Sequence, residues 1–269
     1  MARLATIAPF GFKNLHTSAL LQRYGTLGCR TCQFYRNEVD PPAPADARRI
    51  AEDAGVPIDS VHGRFGPELD PSSPDEAVRQ VAVAVYRAEG ELALELGGSM
   101  VVVHPSPRQE QSRPASESDR AETLRRTMIE MADLGHIQGV TYLFENLTPD
   151  HPCGEDPQLI ARFVREIDDP HVRMCFDTGH AHITCPDVVA ALEDCRDVVA
   201  YMHISDNDGR ADAHAVPGAG TIEWDRIAET IGSMPAETVT MLELFESETT
   251  VDGWIAEDYA VQLCRWLAV

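Results

Sequence analysis

Short runs of apolar and β-branched residues alternate along the chain with longer stretches whose apolar positions recur every three or four residues. The short runs predict strands at Leu4–Ala8, Thr31–Tyr35, Ile58–His62, Met100–His104, Thr141–Asn146, Val172–Asp177, Val199–Ile204 and Val239–Leu244. The stretches between them predict amphipathic helices: Leu124, Met128, Met131 and Leu134 share one face, and Leu159, Phe163 and Ile167 another. Ser73-Pro74-Asp75-Glu76 reads as the start of a long helix, with Ser73 as N-cap and Pro74 in the first position, and Gly97-Gly98 as its end. A last helix is expected over Trp254–Leu267.

Repeated strand–helix units build a parallel sheet. Eight of them in 269 residues predict an α/β fold, a single (β/α)₈ TIM barrel spanning 1–269, with its active site at the C-terminal ends of the strands. A doubly wound open sheet lacks support, because no G-x-G-x-x-G follows the first strand and no P-loop occurs. The polar, proline-rich segments 63–74, 105–118 and 148–157 each follow a strand, as long loops on one barrel face do.

Composition narrows the partners. Hydrophobic residues make up 43% and charged residues 25%, ordinary values for a globular domain. Lys+Arg is 22 against Asp+Glu 44, a formal net charge of −22, and Lys13 is the only lysine. Such a surface repels phosphate backbones and anionic membranes, which argues against a nucleic-acid partner. No run approaches the ~18 apolar residues of a membrane helix. The start, MARLATIAPFGFKN, lacks the basic flank and apolar core of a signal peptide, so a cytoplasmic location is expected. The seven cysteines are odd in number and scattered, which suggests reduced thiols. Cys29 and Cys32 form a C-x-x-C unit, but no second pair completes a structural zinc site, and two packed or surface thiols are expected.

The chemistry lies at the strand ends. His62 ends the third strand, His104 the fourth, Glu145 the fifth and Asp177 the sixth, with His180 three residues on. His203 ends the seventh, its loop carries Asp212 and His214, and Glu243 lies near the end of the eighth. An ionisable group placed in such apolar surroundings costs several kcal/mol unless a partner or metal offsets it. One such residue would be ordinary in a core. Six consecutive strands, each delivering one at the end where barrel active sites form, call for a common cause. The mixed oxygen and nitrogen set points to Zn²⁺ or Mn²⁺, with Co²⁺, Fe²⁺ or Mg²⁺ behind them.

The segment HISDNDGRADAHAVPGAGTIEW, residues 203–224, together with DTGH at 177–180 and VHPS at 103–106, resembles the xylose isomerase-like barrel superfamily. The similarity is to its sugar (phosphate) isomerase/epimerase and endonuclease IV-like branch, and it covers nearly the whole chain. The resemblance implies Glu145, Asp177, His203 and Glu243 as the ligands of one metal. It further implies His62, His104, His180, Asp212 and His214 as ligands if the site holds two or three ions, and otherwise as groups that touch substrate.

Two chemistries follow. In an isomerase or epimerase of a sugar, sugar phosphate or keto-polyol, a divalent metal assists enolisation while Glu145 and Glu243 act as acid and base. His180 and Arg210 would then hold substrate hydroxyls, and loss of water would make the enzyme a dehydratase. In a multinuclear zinc phosphoesterase, the full set would serve hydrolysis of a small phosphate ester. A barrel that binds a sugar without turnover is the third class. Phe10, Phe12, Phe34 and Tyr35 are candidates for an apolar wall or for core packing. Arg36 and Arg64 are candidates to pair with a substrate anion, or solvated loop residues. His16, His136, His151 and His171 read as surface residues, and a homo-oligomer is expected by resemblance alone.

Overall fold

In the computed structural model, which describes residues 3–37 and 39–267, eight parallel strands close into one barrel in chain order. They are β1 (Arg3–Phe10), β2 (Thr31–Arg36), β3 (Ile58–His62), β4 (Met100–Val103), β5 (Thr141–Glu145), β6 (Val172–Asp177), β7 (Val199–Ile204) and β8 (Val239–Leu242). The helices around them are α1 (Thr17–Thr26), α2 (Pro44–Asp53), α3 (Glu76–Leu96), α4 (Glu117–Gln138), α5 (Pro157–Ile167), α6 (Thr178–Thr184), α7 (Val188–Cys195), α8 (Trp224–Gly232), α9 (Glu248–Ala256) and α10 (Tyr259–Leu267). None of the described helices is long and apolar enough to cross a membrane.

Alternation along the strands divides the core in two. Ile7, Val102, Leu143, Cys175, Tyr201 and Met241 fill the barrel interior. Residues of the opposite parity, such as Val61, Val101, Phe144 and Phe176, pack beneath the helices. The predicted strands therefore form where expected, but three end early. β4 stops at Val103, β5 at Glu145 and β8 at Leu242, which leaves His104 and Glu243 just past the ends of their strands, the Glu243 amide still donating to the Ile204 carbonyl at 3.1 Å.

Two helix boundaries differ from the sequence reading. The cap of α3 is Asp75 rather than Ser73: its carboxylate accepts from the Ala77 amide at 3.0 Å, while Ser73 Oγ accepts from the Asp75 amide at 3.3 Å and shapes the preceding turn. Gly97 ends α3 as expected, at φ +94. The last helix is two helices, α9 and α10, because Asp258 turns the chain at φ +56 between them. All seven cysteines are free. Cys29 and Cys32 are buried, with their thiols directed at the Ala5 and Val56 carbonyls. Burial pushes both thiols up, which disfavours the reactive thiolate.

Candidate metal centre

The barrel's stagger brings the strand ends together. His62 pairs with Val102, so His104 sits one inward step further, just past the end of β4. Glu145 pairs with Cys175, so Asp177 sits one inward step beyond it, and Asp177 pairs directly with His203. His203 in turn pairs with Met241, which leaves Glu243 the same two-residue step ahead. A step of two keeps a side chain on the same face of its strand, so every one of these residues points inward near the barrel's upper rim.

Glu145, Asp177, His203 and Glu243 form one group whose candidate ligand atoms lie within 4.8 Å of one another. His62, His104 and Glu145 form a second, and Glu145 belongs to both. His203 Nδ1 stands 2.9 Å from Glu145 Oε1, 3.2 Å from Glu243 Oε2 and 3.8 Å from Asp177 Oδ2. His104 Nε2 is 3.3 Å from Glu145 Oε2. On the other side Asp212 Oδ2 lies between His180 Nε2 at 3.3 Å and His214 Nε2 at 3.1 Å.

The polar atoms are incompletely satisfied. Glu145 Oε2, Asp177 Oδ2, Glu243 Oε2 and His203 Nε2 are buried without a well-formed hydrogen bond. Buried carboxylate oxygens left this way are costly, and a divalent cation among three of them would remove the cost. The surrounding bonds hold Asp177 in place. Asn146 donates to the Asp177 carbonyl at 3.0 Å and accepts from the Asp177 amide at 2.8 Å, and the His180 amide donates to Asp177 Oδ1 at 2.7 Å.

Electrostatics point the same way. Burial raises the cost of ionising Glu145, but His203 and His104 outweigh it and hold the carboxyl well below its usual range. Glu243 is likewise drawn down to about 2, with His203 overcoming burial. Burial lifts Asp177 to about 7, helped by the charges of Glu243 and Glu145. Burial opposes the charged ring of His203, yet the Cys175 sulfur, Glu243 and Glu145 raise it well above the imidazole range. His62 is the reverse case: burial and His104 push it down to about 4. The metal-free centre is thus charge-balanced by protons that a cation would displace.

A cavity of about 340 Å³ opens above the centre, a size suited to a small molecule. His62, His104, Glu145, His180, Asp212, His214 and Glu243 all line it. Arg210 does not: it is exposed on the loop after β7, its amide tied to Asp208 Oδ1. Of the aromatic candidates, Tyr35 lines the cavity and Phe12 stacks on it, while Phe10 and Phe34 are buried against each other in the core. Arg36 turns away to Glu89, and Arg64 is exposed.

Among the cavity residues that the sequence reading did not assign to a site are four with aromatic or basic side chains. Phe65 stacks on His104 at 4.6 Å and Phe245 packs edge-on against His214 at 5.4 Å. His151, expected at the surface, is 9% exposed and lines the cavity together with Arg108. Each sits on a loop after a strand. Loop length and polarity were the only signal available.

A closed (β/α)₈ barrel with three carboxylates and an imidazole converging at its C-terminal mouth defines a TIM barrel with a candidate divalent-cation centre. The chain belongs to the xylose isomerase-like TIM barrel family, whose model matches residues 21–268. Among curated proteins it is similar to an uncharacterized protein of Methanocaldococcus jannaschii, 28% identical over 187 residues. That match takes in 68% of this chain and 63% of the relative, so it spans less than two thirds of the relative's length. Among solved structures, a D-tagatose 3-epimerase-like protein superposes with a TM-score of 0.79 at 21% identity, covering 97% of each chain. The 3-keto-D-glucoside 4-epimerase YcjR from E. coli superposes at 0.72 with 16% identity, over 97% of this chain and 100% of that one. At these identities the likeness is one of fold.

Proposed function

We propose that this protein is a divalent-metal-dependent sugar isomerase or epimerase, with Glu145 and Glu243 as its acid and base. The observation that carries the reading is the convergence of Glu145, Asp177, His203 and Glu243 with unsatisfied buried oxygens beneath a small-molecule cavity. The family and the epimerases named among the superposed structures support it. These four residues would hold the ion, with zinc or manganese best suited to the set. A divalent ion there would supply the Lewis acidity that lowers the cost of enolising a ketose.

The chain's own groups do the proton work. Glu145 and Glu243 are both ionised at neutral pH and both line the cavity, so either can take a proton from the carbon beside a carbonyl. The other, having taken a proton from solvent, would return it to the carbon, and the first would release its proton to solvent. His180 and His214, bridged by Asp212, form the rim on which substrate hydroxyls would rest. The test is deuterium incorporation from solvent into a panel of ketoses and inososes. Exchange with at least one supports the reading, and exchange with none overturns it.

The second group, His62, His104 and Glu145, favours one alternative: a multinuclear metal hydrolase acting on a small phosphate ester. Metal content separates the two. About one equivalent supports isomerisation, whereas two or three equivalents with phosphate-ester turnover support hydrolysis.

A further inference from the structure

The cavity is chemically lopsided. Its buried carboxylates, Glu145 and Glu243, lie at the inner end, Asp212 lies at the rim, and all three are engaged by histidines. At the outer end stands Arg108, the only arginine or lysine lining the cavity among the described residues, and it forms no ion pair there. Arg108 is exposed, so its guanidinium is open to a ligand entering the cavity mouth.

Beside it is His151. The ring is 9% exposed, and its Nδ1 faces the Thr148 carbonyl at 3.1 Å and Thr148 Oγ1 at 3.4 Å. Nε2 takes part in neither contact. Burial holds the imidazole below its ordinary value, and the nearby His104, Arg108 and His180 act in the same direction. His151 therefore lies within electrostatic reach of the centre on one side and of Arg108 on the other.

The placement is built rather than incidental. Two loops distant in sequence are fastened together: Ser106 Oγ donates to the Cys153 carbonyl at 2.7 Å and accepts from the Cys153 amide at 3.2 Å. The Gln109 amide donates to the Asp150 carbonyl. Asp150 itself turns the chain at φ +77, a conformation costly for a residue with a side chain. That turn delivers His151, and the fastening delivers Arg108.

We propose that Arg108 and His151 form an oxyanion subsite, and that the substrate is a sugar bearing a phosphate ester or a carboxylate at the end remote from the reacting carbon. This rests on the isomerase or epimerase reading for the reaction at the inner end. Arg108 offers a forked pair of N–H donors suited to either anion, and His151 Nε2 offers a third donor once an anion draws a proton onto the ring.

Two measurements on the metal-loaded full chain test it. Calorimetric titration with inorganic phosphate should show binding that Arg108→Gln and His151→Gln each weaken about tenfold or more, as loss of a charge-assisted bond predicts. Unchanged phosphate binding in both variants, at unchanged metal content, overturns the subsite whatever the reaction proves to be. Solvent-exchange kinetics on matched neutral ketoses, their terminal phosphates and the corresponding keto acids should favour one anionic form by about tenfold in kcat/KM. Arg108→Gln should lower that ratio, and which anion is favoured identifies its kind. Equal kcat/KM for neutral and anionic sugars overturns the inference and leaves the epimerase reading standing. Exchange with no sugar at all overturns the epimerase reading, and the phosphate titration then judges the subsite alone.

Discussion

Under the proposed mechanism, Glu243 shows how a single residue is made reactive. It follows the last ladder residue of β8, so its side chain enters the cavity instead of the packed barrel. The His203 ring 3.2 Å away keeps it ionised despite near-complete burial. Replacing Glu243 by Gln preserves shape and removes the proton acceptor. Turnover or solvent exchange should fall by at least about a hundredfold, the usual contribution of a positioned acid or base, while the circular dichroism spectrum stays that of the wild type. Wild-type exchange in the Glu243→Gln variant would take this residue out of the mechanism. His62 and His104, close to the shared Glu145, were legible as strand-end histidines. Phe65, which covers His104, was not, because a lone aromatic in a polar loop carries no period.

Among the elements, the loop after β7 carries the most chemistry and depends on one buried carboxylate. Asp206 Oδ1 accepts from the Asn207 amide at 2.8 Å and the Ile222 amide at 3.2 Å, and Oδ2 accepts from the Gly218 amide and Trp224 Nε1, each at 2.8 Å. These four bonds close the loop that holds Asp212 and His214, the latter at a strained φ of +44. Gly220 is required beside them, since a Cβ there would collide with the Asp206 carboxylate and the Asn207 carbonyl. Asp206→Ala strands several buried donors and should cost about 3 kcal/mol or more, a drop in Tm of about 6 °C or more. An unchanged Tm would show that the loop is held by other means. The sequence motif over 203–224 placed this loop correctly but assigned Asp206 no task, because its partners lie up to eighteen residues away.

Under the proposed metal dependence, protons and metal would compete for the same centre across the molecule. In the metal-free protein His214 is raised to about 9, with Asp212 and Glu243 overcoming burial, and Asp177 is raised to about 7, mainly by burial. A group whose folded pKa is raised contributes stability that is complete below its unfolded value and lost as pH climbs through the folded one. The share of Asp177 is spent by about pH 7, so in chelator the fall in Tm between about pH 6.5 and pH 9 should come from His214, a loss on the order of 3 kcal/mol. A saturating divalent cation should flatten that fall, because it replaces the lost protons as countercharge. A Tm in chelator that is level or rising over this window would contradict the arrangement.

The barrel and the roster of ionisable residues at its rim are written in the chain itself. Alternation of apolar positions records which side of each strand is buried, and that suffices to locate strand ends such as Asp177 and His203. Which of these residues share a centre, and which groups face it, was settled only by folding. Closing eight strands sets the stagger that lets Glu145 serve two clusters. The Ser106–Cys153 fastening between two loops puts Arg108 and His151 at the cavity, and the tip of the loop after β7 carries Arg210 away from it. Local periodicity is blind to both effects, since each depends on contacts between segments far apart in the chain.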